Sequence, residues 1–282
     1  MKKVWFITGV SSGLGKELAK QVLAAGYLAA VGARKIEDVA DIVAAYPGTS
    51  LALKLDVTNA DEIVSSVKAI EQKFGRIDVL VNNAGIGYFG SIEESEETEV
   101  RRMFEINFFG LAKLTNEVLP IMRSQRSGHI VNISSILGLM SAPAVGFYSA
   151  TKFAVDGYSE SLSKEVAPLG IKVSIIAPSN IRTDWAGRSA NETSETMADY
   201  QATAGIVKNH LRSISGRQDG DPVRMSAAIL KIVASENPPL RLLLGNDSFN
   251  EANAKLVAAK ADYDAWAETS VGADFPKEAT QH

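Results

Sequence analysis

The sequence predicts a single doubly wound α/β domain, a parallel sheet of seven strands with helices on both faces. Three observations carry this expectation. Apolar runs of strand length alternate with segments of helical period. Glycine or proline punctuates several of the joints between them. No repeat, low-complexity stretch or linker divides the 282 residues, of which 46% are hydrophobic, enough for one sizeable core.

The elements follow in order. Residues 3–8 read as a buried strand, and the helix expected over 14–25 ends at Gly26, a residue suited to terminating helices. A second strand at 28–33 leads to a helix at 36–45, stopped by Pro47-Gly48. A third strand is expected at 51–55. Thr58-Asn59 with Asp61 and Glu62 then marks the capped start of a helix reaching Phe74. Further strands are expected at 77–81, 129–133, 173–177 and 240–244, and helices at 97–122, 148–167, 223–234 and 251–266. Strands alternating with helices imply βαβ units. Residues 182–216 break the rhythm; they are polar, and rich in Ser, Thr, Asn and Gly. An irregular insertion of that length is expected to form a lid, and residues 246–282 a C-terminal helical extension.

Composition narrows the function classes. A formal charge of −4 gives no reason to expect nucleic acid or an anionic membrane as partner. The absence of cysteine excludes disulfides, Fe–S clusters and thiolate zinc sites. The three histidines, His129, His210 and His282, are scattered in sequence, so no metal site is expected. The apolar run after Met1-Lys2-Lys3 is too short for a targeting segment and is soon followed by Lys16 and Glu17. No run of eighteen apolar residues exists. The expectation is a soluble, cytoplasmic protein.

The segment Thr8-Gly-Val-Ser-Ser-Gly-Leu-Gly15 joins the first strand to the first helix. Glycines there allow a tight turn and let backbone N–H groups approach a pyrophosphate, with the helix dipole behind them. Gly9, Ser11, Ser12, Gly13, Leu14 and Gly15 are therefore candidate dinucleotide contacts; a purely structural turn is the competing reading. Dinucleotide sites usually place a carboxylate at the end of the second strand, against the ribose hydroxyls. Here that strand ends Val31-Gly32-Ala33-Arg34. A guanidinium matches the fork of a phosphate, so Arg34 is expected to hold the 2′-phosphate of NADP(H), or else to be a solvated strand-end residue. Asp56 and Val57, after the third strand, are placed for the adenine; for Asp56, helix capping is the alternative.

Tyr148 and Lys152 lie four apart at the start of a helix and share one face, which continues inward through Val155, Ser159, Leu162 and Val166. A lysine on an inward stripe needs a reason, because burying an unpaired ammonium is expensive. A nearby lysine favours a phenolate and makes tyrosine a workable general acid–base. Ser135 ends the fifth strand, where ligands bind in parallel sheets, and its hydroxyl suits a substrate oxygen; Ser134 reads better as a strand-end cap. Asn107 sits in an apolar helical stripe with Val100, Phe104, Leu111, Leu114 and Val118, so its amide needs a partner, structural or functional.

The combination Thr8–Gly15, Asn82-Asn83-Ala84-Gly85, Asn107, Ser135 and Tyr148-x3-Lys152, in this order, resembles the short-chain dehydrogenase/reductase family in its shorter Gly-x3-Gly-x-Gly branch. The resemblance is close over residues 3–185 and holds in outline beyond. It implies one NADP-binding Rossmann domain that moves a hydride between a nicotinamide and a ketone or secondary alcohol. Tyr148 would be the acid–base and Ser135 would orient the carbonyl. Lys152 would bind the nicotinamide ribose and lower the tyrosine pKa, and Asn107 would hold a water linking Lys152 to solvent. Asn83, Ala84 and Gly85 would line the cofactor cleft while Asn82 braces the sheet. Pro178, Ile181 and Thr183 would contact the nicotinamide amide. Tyr88, Leu137, Met140, Phe147 and Trp185 neighbour these motifs and are candidates for an apolar substrate pocket, with packing in the core as the alternative for Trp185. A homo-oligomer, dimer or tetramer, pairing through the helices at 97–122 and 148–167 is implied as well. The family usually has Pro-Gly where this chain has Pro178-Ser179, which leaves the path of that loop open. Competing readings are a non-catalytic dinucleotide sensor on the same fold, and a reductase of acyl-carrier-bound or steroid-type ketones.

Overall fold

Val4–Thr8 is buried at every position, as an interior strand covered on both faces must be; this is β1. The structure is a computed structural model and describes residues 2–194 and 197–275. After β1 come α1 (Gly13–Ala24), β2 (Leu28–Ala33), a short turn of helix at Ile36–Val39 running into α2 (Ala40–Ala45), β3 (Ser50–Lys54), α3 (Ala60–Phe74) and β4 (Val79–Asn82). The chain continues through β5 (Gly87–Phe89), α4 (Glu97–Phe104), a π-helical segment at Glu105–Gly110, α5 (Leu111–Gln125), β6 (Gly128–Ile133) and α6 (Gly146–Val166). It ends with β7 (Ile171–Pro178), α7 (Trp185–Arg188), β8 (Ala190–Glu192), α8 (Ile206–Ser213), α9 (Pro222–Ala234), β9 (Arg241–Leu244), α10 (Asn246–Ala265) and α11 (Ala267–Val271).

Seven strands form one sheet in the order β3-β2-β1-β4-β6-β7-β9, every neighbouring pair parallel. One apolar cluster packs α1 and α9 on one face through Leu18, Val22, Ile229 and Val233. The other packs α3, α5 and α6 on the opposite face through Ile70, Leu114, Val118 and Leu162. The fold is therefore the doubly wound sheet expected. The strand order reverses direction between β1 and β4, which opens a crevice at the carboxyl ends of the strands.

Local signals place the helix ends. The Asn59 side chain accepts from the N–H groups of Asp61 (3.0 Å) and Glu62 (3.2 Å), capping α3, and Gly75 closes it at φ 74°. Asp221 caps α9 in the same way, with Pro222 in its first turn.

Three expectations need correction. The helix at 97–122 is not one regular helix, because Glu105–Gly110 is π-helical, and the element runs through Pro120 to Gln125. Gly87–Phe89 and Ala190–Glu192 pair as a small separate parallel sheet. The described residues of 182–216 are accordingly not irregular: they hold α7, β8 and α8, with β8 paired to β5. The third and fourth strands also start one residue earlier and two residues later than expected. The C-terminal extension is helical through Val271; residues 276–282, with His282, lie outside the described residues.

Candidate active site

A cleft of about 1270 Å³ runs along the carboxyl ends of the strands. At one end it is walled by the loop between β1 and α1, with Gly9, Ser11, Ser12, Gly13 and Leu14 on its surface. Gly9 and Gly13 have φ +68° and +60°, a left-handed geometry that side chains disfavour, and this tight turn leaves the loop backbone open to the cleft. A Cβ on Gly9 would lie 2.9 Å from the Ala84 Cα. Gly15 is different. It does not line the cleft; a Cβ there would collide with the Asn83 amide, so its glycine serves the close approach of α1 to the sheet. Asn83 ties this corner together by donating to the carbonyls of Thr8 (2.9 Å) and Gly9 (3.1 Å).

Arg34 leaves the end of β2 exposed and lines the same end of the cleft, with Lys35 beside it. Asp56 and Val57 also line it. The Asp56 carboxylate accepts from the N–H (2.9 Å) and hydroxyl (2.7 Å) of Thr58, a turn closure; the cap of α3 is Asn59, so the capping alternative for Asp56 falls. Ala84 and Gly85 follow β4 on the cleft wall. Backbone N–H groups, a permissive glycine turn and a cationic far end together fit a dinucleotide with a pyrophosphate at α1.

Ser135, Tyr148 and Lys152 meet at the middle of the cleft. All three are buried. The Ser135 side chain acts on the phenol, and its oxygen accepts from the Leu137 N–H at 3.1 Å. Lys152 donates to the Ile133 carbonyl at 2.9 Å, with its Nζ 5.6 Å from the centre of the Tyr148 ring. Burial pushes the phenol above its ordinary value, against the influence of Ser135, and lowers Lys152 to about 8 against the attraction of Asp156. The expectation that Lys152 lowers the tyrosine is thus not met here: desolvation outweighs every other influence on the phenol. A proton held this firmly suits an acid.

Asn107 lies in the π-helical segment, and such segments are frequent at functional sites. Its side chain is occupied. It accepts from the Ile86 N–H (2.9 Å) and donates to the Ile86 carbonyl (2.9 Å) and the Thr151 hydroxyl (3.2 Å). It therefore clamps the strand leading into β5 onto α6. Asn82 braces the sheet through Thr115 (3.1 Å) and Asn132 (2.9 Å). Pro178, Ile181 and Thr183 line the cleft after β7. Ser179 causes no strain; Arg126 and Ala144 alone among the described non-glycine residues have positive φ, and Gly245 leaves room for the serine hydroxyl.

Beyond the tyrosine lies an apolar chamber. Trp185 is half-buried with its ring centre 5.0 Å from that of Tyr148 and 5.9 Å from that of Phe89. Gly87 permits this, since a Cβ there would lie 2.7 Å from the indole. Leu137, Met140 and Trp185 line the cleft as expected, but Tyr88 and Phe147 do not. Strand alternation turns Tyr88 away from it, where the phenol accepts from the Glu96 N–H at 3.1 Å. Phe147 precedes Tyr148 by one helical position and packs beside the cluster. The wall that sequence reasoning missed is α8 with its C-cap: Val207, His210, Leu211 and the capping Ile214 line the cleft. Their i, i+3, i+4, i+7 spacing was available as a signal, hidden by the polar residues around it.

The model of the short chain dehydrogenase family matches residues 3–194, more than half of the chain. The chain belongs to that family. Similar members include an oxidoreductase, BOA17, of Botryotinia fuckeliana, 38% identical over 96% of this chain and 99% of its own. A 3-ketodihydrosphingosine reductase of Bacteroides thetaiotaomicron is 39% identical over 86% of this chain and 88% of its own. A solved short-chain dehydrogenase of Streptomyces avermitilis superposes with a TM-score of 0.92 at 41% identity, covering 98% of this chain and all (100%) of the other. Solved proteins of the same fold carry NAD in some cases and NADP in others. The protein is accordingly an oxidoreductase with a Rossmann-like fold.

Proposed function

We propose that this short-chain dehydrogenase is an NADPH-dependent carbonyl reductase acting on apolar ketones, the reverse alcohol oxidation using the same groups. The observation that carries the reading is the buried Tyr148 phenol, sharing the cleft with Ser135 and one turn from Lys152, under an apolar chamber. The nicotinamide, when bound, supplies the hydride. Tyr148 gives its proton to the carbonyl oxygen as that oxygen gains charge, and its burial keeps the proton on the phenol at neutral pH. Ser135 hydrogen-bonds the same oxygen and orients the carbonyl. Lys152, an ammonium below about pH 8, holds the ribose hydroxyls. Asn107 acts by fixing Ile86, and through it the floor under Gly85. Trp185 and Leu137 exclude water from the transfer.

NADPH selectivity rests on Arg34, exposed at the cleft end where a ribose-binding carboxylate would otherwise stand, with Lys35 adding a second cation. A charge-assisted phosphate contact contributes about 1.5–3 kcal/mol, roughly ten- to a hundredfold in preference. Steady-state kinetics with both cofactors and an activated ketone test this. NADPH should lead in kcat/KM, and Arg34→Ala should remove most of that lead. Equal values in the native protein would overturn the assignment. Pairing of two copies through α5 and α6 is the assembly the reading includes. Phe109 and Phe153 are 44% and 47% exposed on that face, apolar area that a second copy would cover.

A further inference from the structure

One turn beyond Lys152 on α6, the carboxylate of Asp156 is buried at 4% exposure. Neither the family motifs nor the proposed chemistry uses it, and a buried charge must be compensated. Three elements converge on it. One oxygen accepts from the hydroxyl of Ser134, at the end of β6 and next to Ser135. The other accepts from the Arg241 guanidinium on β9, through Nε at 3.0 Å and Nη2 at 2.9 Å. The same Nη2 also donates to Glu160 at 2.8 Å. Gly138, in the turn after Ser135, is required for this packing, since a Cβ there would lie 2.7 Å from the Ser134 hydroxyl and 2.8 Å from the Asp156 oxygen.

We propose that Asp156, anchored by Arg241 and Ser134, is the positioning residue of the active site, holding α6, and with it Lys152 one turn away, in register with the end of β6. The inference rests on the role given to Lys152 above. The charged groups acting on Asp156 are Lys152 on its own helix and Arg241 on β9; the Ser134 hydroxyl is the neutral partner from β6. Asp156 is also the one charged group that acts on Lys152, and it works against the burial that lowers the lysine. Arg241 neutralises the carboxylate only in part, because Glu160 shares the same guanidinium nitrogen.

The sign follows. Removing the charge at position 156 lets burial lower Lys152 further, so the ammonium is lost at lower pH. In Asp156→Asn the alkaline fall of kcat/KM for ketone reduction should move down by about one pH unit. NADPH affinity, read by fluorescence titration without substrate, should weaken severalfold at pH 8 and stay nearly unchanged at pH 6. Asp156→Glu should restore most of both. A merely structural role predicts a lower Tm and a uniform loss at all pH values with the alkaline limb in place, and that result overturns the proposal. If Asp156→Asn does not fold, Glu160→Gln leaves the Arg241 charge to Asp156 alone and so weakens the field of the carboxylate at Lys152. It should shift the limb in the same direction by less, and an unmoved limb contradicts the proposal. Lys152→Ala separates the two readings: if it keeps full activity the lysine assignment fails, whereas an inactive Lys152→Ala beside an unshifted Asp156→Asn removes only Asp156.

Discussion

At the scale of single residues, the sequence exposed those whose type is wrong for their place. Lys152 on an inward stripe and Asn107 among apolar helical neighbours could be read from periodicity, and both are buried, Lys152 on the cleft wall. What periodicity cannot give is the partner. Asn107 turns out to be held by Ile86 and Thr151, and Asp156 meets Arg241 across 85 residues. Tyr88 failed because the short β5, unseen in the sequence, decides which way it faces. Removing Lys152 tests a group with two tasks. Lys152→Ala should weaken NADPH binding severalfold and lower kcat by at least tenfold, measured by fluorescence titration and initial rates. A loss confined to one of the two would show that the ribose hold and the catalytic effect are separable.

Among elements, the alternation of strands and helices was legible throughout, because a sheet covered on both faces demands continuous apolar strands. The π-helical turn at Glu105–Gly110 left no such mark, and the three-residue strands β5 and β8 are too short for a pattern. The segment 182–216 is where local reading gave least, since tertiary contacts organise it. Arg212 on α8 donates to the carbonyls of Ala186, Gly187 and Ala190, pairs with Glu192 at 2.9 Å and sits 5.2 Å over the Phe89 ring. The segment is closed over Tyr148 through Trp185. Few of its contacts are with the deep core, so we expect it to open readily. Trypsin should cut within 182–217, at Arg182, Arg188, Lys208 or Arg217, rapidly without cofactor and slowly with NADPH. Arg212→Met should hasten cleavage in both states. Equal resistance with and without NADPH would show a fixed wall and end the gating idea.

For the whole molecule, stability has a pH signature away from the active site. His129, in β6, hydrogen-bonds the Ser174 hydroxyl at 2.9 Å, and Ser174 in turn donates to the Pro239 carbonyl. Burial, helped by Lys172 and Lys3, lowers His129 from 6.5 to about 4, so the folded protein keeps it neutral. The unfolded chain takes up that proton first. Stability from this group is therefore complete above pH 6.5 and is lost as pH falls towards 4, by about 3 kcal/mol at most. Thermal unfolding between pH 7 and 4.5 should show the decline, and His129→Gln should flatten part of it. The same overall architecture joins the cation-lined cofactor end to the apolar chamber across Tyr148, and that junction is what the proposed reduction depends on. The most direct measurement follows NADPH oxidation with an activated ketone for the native protein and Tyr148→Phe, alongside NADPH binding by both. The account predicts turnover by the native protein, loss of all but a few per cent in Tyr148→Phe, and nearly equal cofactor affinity. Substantial turnover by Tyr148→Phe at neutral pH would contradict it.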